Sequence, residues 1–304
     1  SVFEDNVLGR ACYRHCGFRE CGSRKLRPVW LSEDEPLVDM RIELFDWLAN
    51  HWKESLKRLT AGTDWPLLYN EFRRLRFEWD PTLRDRQSLI LSQIPCEKSQ
   101  PLMAADLGSG PGILAESIAE NFPNAEVWAF DADPLQVLMG EEALKEKFGK
   151  RIHFELADLR EPAWSLDRAG IFAFSASSLA LHWMNRDSLR RFYRILYSTL
   201  KPGGVFANAD HISLDNSWSH SFTVRKTREA ARPRIPWDEY WRSLKESLNI
   251  LYPCEQMASD LPVYEGMEQG QSMRAHSYSL ENAGFSGIRE LWREDGDAVI
   301  VAVK

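Results

Sequence analysis

Several features are scarce in this sequence, and each scarcity narrows the possibilities. No apolar run approaches the roughly 20 residues that a membrane-spanning helix needs. No secretory leader stands out either, so the chain is expected to act away from the membrane, in the cytoplasm. Cysteine is sparse, at 5 in 304 residues. An odd, scattered set suits a reduced compartment better than a disulfide framework. Cys12, Cys16 and Cys21, close to His15, are spaced CxxxCxxxxC. The second gap is too long for a CxxxCxxC cluster loop and no fourth ligand pairs with them, so no metal is expected. Positive charge is also short, with 38 Lys and Arg against 45 Asp and Glu, a net charge of -7. That balance argues against a broad phosphate-binding surface and a nucleic-acid partner. The length leaves room for one large domain or two modest ones. The first residue is Ser rather than Met, and the chain is expected to be a piece of a longer polypeptide.

What is present is organised around residues 102–112, LMAADLGSGPG. Leu102 to Leu107 are apolar apart from Asp106, as in a strand buried on both faces. Gly108, Gly110 and Gly112 then alternate with Ser109 and Pro111. Glycine lets a ligand approach the main chain closely. Pro111 is pre-set to open a helix, and Ile113 to Asn121 reads as that helix. Strand, glycine turn, helix is the nucleotide-binding opening of a doubly wound sheet. A phosphate-cradling loop would need Lys followed by Ser or Thr. A GxGxxG dinucleotide turn would place its third glycine one residue later.

Further strands follow at regular intervals. Glu126 to Asp131 is a second buried strand ending in an acid 23 residues past Gly108, where a carboxylate can accept two hydrogen bonds from a ribose diol. Asp133 suits the N-cap of a helix over Pro134 to Phe148. Arg151 to Leu156 is a third strand, followed by Ala157-Asp158-Leu159. Ile171 to Ser178 is a fourth, with His182 and Trp183 just past its carboxyl end. Asp187 to Leu200 has Leu189, Phe192, Tyr193, Leu196 and Leu200 on one helical face. Lys201 to Gly204 reads as a turn and Val205 to Ala209 as a fifth strand, with Asp210 and His211 at its ligand end. Ser272 to Ala283 is a last helix closed by Gly284. Ile288 to Arg293 and Ala298 to Val303 flank a Glu294–Asp297 hairpin turn.

D-L-G-S-G-P-G resembles motif I of the class I S-adenosylmethionine (SAM) methyltransferases. Asp131, Ala157-Asp158-Leu159, the segment from Phe172 through Leu181-His182-Trp183, L-K-P-G-G and the closing A-G-F fall in that family's order. Ala173 stands where the family usually has Asp. The resemblance spans about residues 75–304. It implies an α/β, Rossmann-like fold with a helical lid and a seven-stranded sheet of order 3-2-1-4-5-7-6, strand 7 antiparallel. It implies SAM as cofactor and S-adenosylhomocysteine as product. It places Asp106, Gly108, Ser109, Gly110 and Gly112 at the amino-acid end of SAM, Asp131 and Ala132 at the ribose, Asp158 and Leu159 at the adenine, and Ser177 with Ser178 beside the sulfonium. The family's N/D-P-P-Y/F mark for exocyclic amino groups is absent, and a small-molecule substrate is expected.

Two regions surround that core. Residues 50–98 are aromatic and helical, and Trp79-Asp80-Pro81, Arg86 and Ile94-Pro95 resemble the lid lead-in of trans-aconitate-type methyltransferases. Residues 212–272 read as a substrate-lid insertion, with Trp237, Tyr240, Trp241 and Leu244 on one helical face. Trp183, Trp237, Trp241 and His276 are the candidate pocket residues, aromatic walls being what a small-molecule site needs. A basic run from Arg225 to Arg234 reads either as a solvated helix face or as cations placed to neutralise a carboxylate. A general base is needed only where the acceptor carries a proton, and His182, His211 and His276 titrate in the right range. Within residues 1–49, Asn6, Tyr13 and Gly17-Phe18 follow N-x6-Y-x3-G-F and resemble the last helix of the GNAT acetyltransferases, with Phe18–Ser23 and Val38–Phe45 as closing strands. The expected domains are therefore 1–49, either a GNAT-like tail whose upstream module lies in the same polypeptide or a helix and hairpin that cover the methyltransferase, and 50–304. Three functions fit: a small-molecule O- or N-methyltransferase with a carboxylate among the acceptors, a fused acetyltransferase–methyltransferase, and a non-catalytic SAM-binding scaffold or sensor.

Overall fold

The computed structural model describes residues 2–3, 19–26, 35–41, 53–213, 235–248, 270–294 and 296–304, the first three stretches as backbone alone. The chain divides into two compact units, Ser1–Arg58 and Leu59–Lys304. The expected boundary at 49/50 falls earlier than this division, which helix α1 (Lys53–Leu59) runs across.

In the first unit, β1 (Val2–Phe3), β2 (Arg19–Leu26) and β3 (Glu35–Arg41) form an antiparallel sheet of order β1-β3-β2. Ser23 lies opposite Val38, and the register shifts between Glu20 and Gly22. The two expected closing strands correspond to β2 and β3, with different ends. The expected helix carrying Tyr13 lies outside the described residues, as do Cys12, Cys16 and His15.

The second unit is a seven-stranded sheet with helices in its crossovers. Its strands are β4 (Leu102–Leu107), β5 (Ala125–Asp131), β6 (Ile152–Leu156), β7 (Phe172–Ser178), β8 (Leu200–His211), β9 (Ser286–Glu294) and β10 (Asp297–Val303). They lie in the order β6-β5-β4-β7-β8-β10-β9. Counted within the sheet this is 3-2-1-4-5-7-6, and β10 runs antiparallel to β8 and β9 while the strands from β6 to β8 are mutually parallel. A parallel crossover is too long for a turn and takes a helix. Helices α4 (Ile113–Asn121), α5 (Pro134–Phe148) and α6 (Arg186–Thr199) occupy three of them. α8 (Met273–Ala283) leads into β9.

Local chemistry sets these elements. The Asp133 carboxylate accepts the amides of Leu135 and Gln136 to start α5, and the Asn185 side chain does the same for α6 through Asp187 and Ser188. Gly284 ends α8 in the left-handed conformation, the usual glycine stop. α6 buries Leu189, Phe192, Tyr193 and Leu196 against the sheet. β8 begins earlier than expected and absorbs Lys201–Gly204. Those residues read as a turn, but Lys304 pairs there in both directions, accepting from the amide of Gly203 and donating to the carbonyl of Gly204 at 2.9 Å each. The strand partner supplies the bonds that a free turn would lack.

Two helices ahead of the sheet, α2 (Trp65–Trp79) and α3 (Leu83–Leu91), and one from the insertion, α7 (Trp237–Ser247), complete the unit. α2 and α7 meet through rings. Phe72 packs on Trp241 with centroids 5.3 Å apart, Trp79 on Tyr240 at 5.6 Å, and the Trp79 indole donates to the carbonyl of Ile235 at 2.6 Å.

The aromatic core beside α6 is continuous, with Phe192 contacting Trp164, Tyr193 and Phe206. Truncating a fully buried Phe removes its transfer energy and leaves a cavity. Phe192→Ala is expected to lower unfolding stability by about 3–5 kcal/mol, measured by urea titration of the whole chain.

Candidate functional site

A cavity of about 550 Å³ opens where β4, β5, β6, β7 and β8 end, and Phe72, Arg76 and Trp79 of α2, Leu83 and Gln87 of α3 and Lys245 of α7 line it too. Ligands of open α/β sheets sit at this carboxyl edge.

One half of the cavity is built from the glycine turn and three acids. Gly108 and Ser109 donate their amides to the carbonyl of Phe130 at 2.8 and 2.9 Å, folding the chain sharply after β4. Gly108 has φ of 72°, and a Cβ there would lie 2.2 Å from that of Ala180. No other residue fits. Asp106 is buried and accepts the amide of Ala115 at 2.9 Å. Burial raises its pKa against that hydrogen bond, the charge of Asp131 adds to the rise, and the result is about 7. The Asp131 carboxylate accepts the amide of Gly110 at 2.7 Å and that of Asp133 at 2.8 Å. Burial again dominates and raises it to about 6. Asp158 is gripped by Arg160, whose Nη2 lies 2.6 Å away and whose amide also donates to it.

Of the sequence-predicted cofactor residues, Asp106, Gly108, Ser109, Gly110, Asp131, Ala132, Asp158 and Leu159 all line this cavity. Two do not. Gly112 is the N-cap of α4, one turn further on. Ser177 points into the sheet, its hydroxyl donating to the carbonyl of Leu107 at 2.7 Å, and the wall at this strand end is Ser178.

The other half holds two histidines, each with its own acid. His182 Nδ1 lies 2.6 Å from Asp210 Oδ1, and the His182 amide donates to Oδ2 of the same carboxylate at 3.1 Å. The amide of His211 donates to Asp210 at 2.8 Å. His211 Nδ1 lies 2.5 Å from Asp297. That pairing follows from β10 running against β8, which sets Asp297 opposite His211. Arg86, fully buried, bonds Asp80 and reaches Asp297 at 3.7 Å. The two imidazole centroids are 4.7 Å apart.

Burial alone would raise the Asp210 carboxyl, but His182 and then His211 outweigh it and hold the pKa at about 2. Burial works against charge on His211, yet the hydrogen bond and charge of Asp297 prevail and raise its pKa. Burial lowers Arg76 to about 10 against the pull of Asp80. Among the described residues, no group of three or more His, Cys, Asp or Glu is arranged to hold a metal ion.

His182, Trp183 and His211, candidates from the sequence, line the cavity. His276 instead lies in the interior, bonded to the Tyr193 hydroxyl at 2.6 Å, and burial drops its pKa to about 4. Trp241 is buried behind Phe72 rather than in the wall. The Trp237 side chain lies outside the described residues, as does the basic run from Arg225 to Arg234. Sequence reasoning missed Arg76, Arg160, Lys245 and Asp297. Arg76 follows Phe72 by one helical turn, so its face was readable. Asp297 depends on strand register and was not. Gly270 was also missed. It has φ of 64°, and a Cβ there would lie 1.8 Å from the His211 carbonyl oxygen and 3.3 Å from His182 Cβ.

Residues 104–204 match a family described as a methyltransferase domain. The chain is 34% identical over 138 residues to a trans-aconitate 2-methyltransferase of Methylobacterium radiotolerans, covering 43% of this chain and 48% of that protein. It is 28% identical over 151 residues to a trans-aconitate 2-methyltransferase of Escherichia coli, covering 46% and 52%. The chain thus spans about half the length of the curated relatives it matches. Among solved structures it is similar to human N-acetylserotonin methyltransferase in complex with SAM, at 15% identity and a TM-score of 0.47, covering 98% of this chain and 82% of that one.

The raised carboxyls have a thermodynamic consequence. Asp106 binds its proton more tightly folded than unfolded, so the native state holds more protons between the unfolded value and about 7, and stability falls as pH rises through that window. Asp131 acts in the same direction up to about 6. The melting temperature is expected to drop between about pH 5 and pH 8, and to drop less in Asp106→Asn, as followed by calorimetric scans across pH.

Proposed function

We propose that this chain, a class I methyltransferase by its sheet order and its matched domain, transfers the methyl group of SAM to a small-molecule acceptor. The observation that carries the reading is the convergence of the glycine turn, three acids and two acid-paired histidines on one cavity at the carboxyl edge of the sheet.

The donor set suits a sulfonium nucleoside. Asp131 already holds the amides of Gly110 and Asp133, and a carboxylate, with about four acceptor sites, keeps capacity for a ribose diol. Asp106, behind the turn, would face the ammonium of the amino-acid end. Asp158 and Leu159 would meet the adenine. When bound, SAM supplies a methyl group already activated as an electrophile.

The protein's remaining work is orientation and exclusion of water. Holding two reactants in line contributes several kcal/mol, and a dry site strengthens every charge within it. Phe72 and Trp79, backed by Tyr240 and Trp241, give α2 and α7 the means to cover the acceptor. Relatives named for trans-aconitate keep a carboxylate among the candidate acceptors, alongside hydroxyls and amines.

Isothermal calorimetry tests the nucleoside half. SAM is expected to bind in the micromolar range, and Asp131→Ala to bind at least about tenfold more weakly, the loss of charged hydrogen bonds to a diol. Equal affinities in the two proteins would remove Asp131 from the ribose, and absence of binding to either would remove the reading as a whole.

A further inference from the structure

We propose that the acceptor is a hydroxyl on a small, flat molecule, a phenol or an enol, and that His182, positioned by Asp210, is the base that takes its proton. This rests on the methyl-transfer reading and goes further in naming the acceptor class.

Three observations point the same way. The first is the geometry of the pair. Asp210 engages Nδ1 of His182 and also accepts the His182 backbone amide. Both ends of that residue are thereby fixed, and Nε2 is the nitrogen left for a ligand on a side chain that lines the cavity. A carboxylate with no proton to lose needs no such device. Methylation of a hydroxyl does need it. The acceptor oxygen forms its bond to the methyl carbon, the carbon–sulfur bond breaks with its electron pair returning to sulfur, and the hydroxyl proton passes to Nε2. The sulfonium charge ends on the imidazole as imidazolium, beside an Asp210 that stays ionised.

The second observation separates the two histidines. Asp297 holds Nδ1 of His211 at 2.5 Å and raises its pKa, which suits His211 to donate a proton rather than to take one. The His211 ring lies beside that of His182, 4.7 Å away centroid to centroid, and is left to donate to the developing oxyanion.

The third concerns charge and shape. Arg76 and Lys245 line the same cavity as His211. Cations there disfavour an ammonium acceptor and favour an oxygen that becomes negative. Phe72, Trp79 and Trp183 provide apolar walls for a flat body. The titratable groups against His182 are Asp210 and His211 from β8; behind them, Asp297 from β10 bonds His211, Arg86 from α3 reaches Asp297, and Arg76 from α2 feels the charge of Asp297 and Asp210. Tyr193 and His276 lie behind Asp210 and feel its charge.

The test uses the whole chain with SAM and two probe panels, phenols of graded acidity and small carboxylic acids including trans-aconitate, with S-adenosylhomocysteine release as readout. Phenols are expected to turn over. His182→Gln and Asp210→Asn are expected to lower kcat on a weakly acidic phenol at least about 100-fold with SAM affinity unchanged by calorimetry. The acidic limb of the kcat–pH profile should vanish in His182→Gln. A nitrophenol already ionised at the assay pH should recover most of the lost rate, which a merely structural role would not allow. Nitrogen-15 NMR at alkaline pH should find the His182 proton on Nδ1 in the wild-type chain. Turnover of carboxylic acids with phenols untouched, wild-type kcat in His182→Gln on phenols, or a His182 proton on Nε2 would each overturn the proposal. SAM binding would survive those results, so the broader reading fails only on its own test.

Discussion

A carboxylate taken out of water must be given donors, or it takes up a proton. Asp210 is fully buried and receives three, from the His182 ring, the His182 amide and the His211 amide. Through those bonds it ties the last residue of β8 to the short turn after β7. The positions of both histidines, and so the shape of one end of the cavity, follow from how that single charge is satisfied. The next shell repeats the logic, with Asp297 answered by His211 and Arg86, and Arg86 answered in turn by Asp80.

The two halves of the cavity treat their acids in opposite ways. Asp106 and Asp131 have amide donors and, among the described residues, no ion pair, and burial lifts both towards neutrality. Asp210 has imidazole partners and is held at about 2. The first pair is therefore poised to gain from an incoming positive charge, since a nearby cation favours the ionised form. The second is already committed to the protein's own rings. One fold edge thus sets a region whose acids would gain from a cation beside another whose acid is already paired with imidazoles.

Much of this was legible in the sequence because it is local. The buried strand at Leu102–Leu107, the Asp133 cap, the Gly284 stop and the acids at the ends of β4 and β5 all follow from short-range pattern. What was not legible depends on alternation or on distant pairing. Ser177 and Ser178 differ only in which side of the strand they occupy, and a period of two gives neighbours opposite surroundings. Asp297 reads as a hairpin-turn residue until β10 is laid against β8. Lys201–Gly204 reads as a turn until the chain's last residue pairs with it. His276 has the same residue type as the site histidines, yet its helix face turns it to Tyr193.

Gly270 brings a different kind of dependence. The peptide group of His211 passes so close that position 270 has room for hydrogen alone. Every missense change at that codon must push on the main chain that carries one ring and on the β-carbon that carries the other. Both rings can therefore be displaced by a change at a position that lies outside the cavity wall. In a population of natural variants, such a change would look like an innocuous loop polymorphism until the atoms were placed.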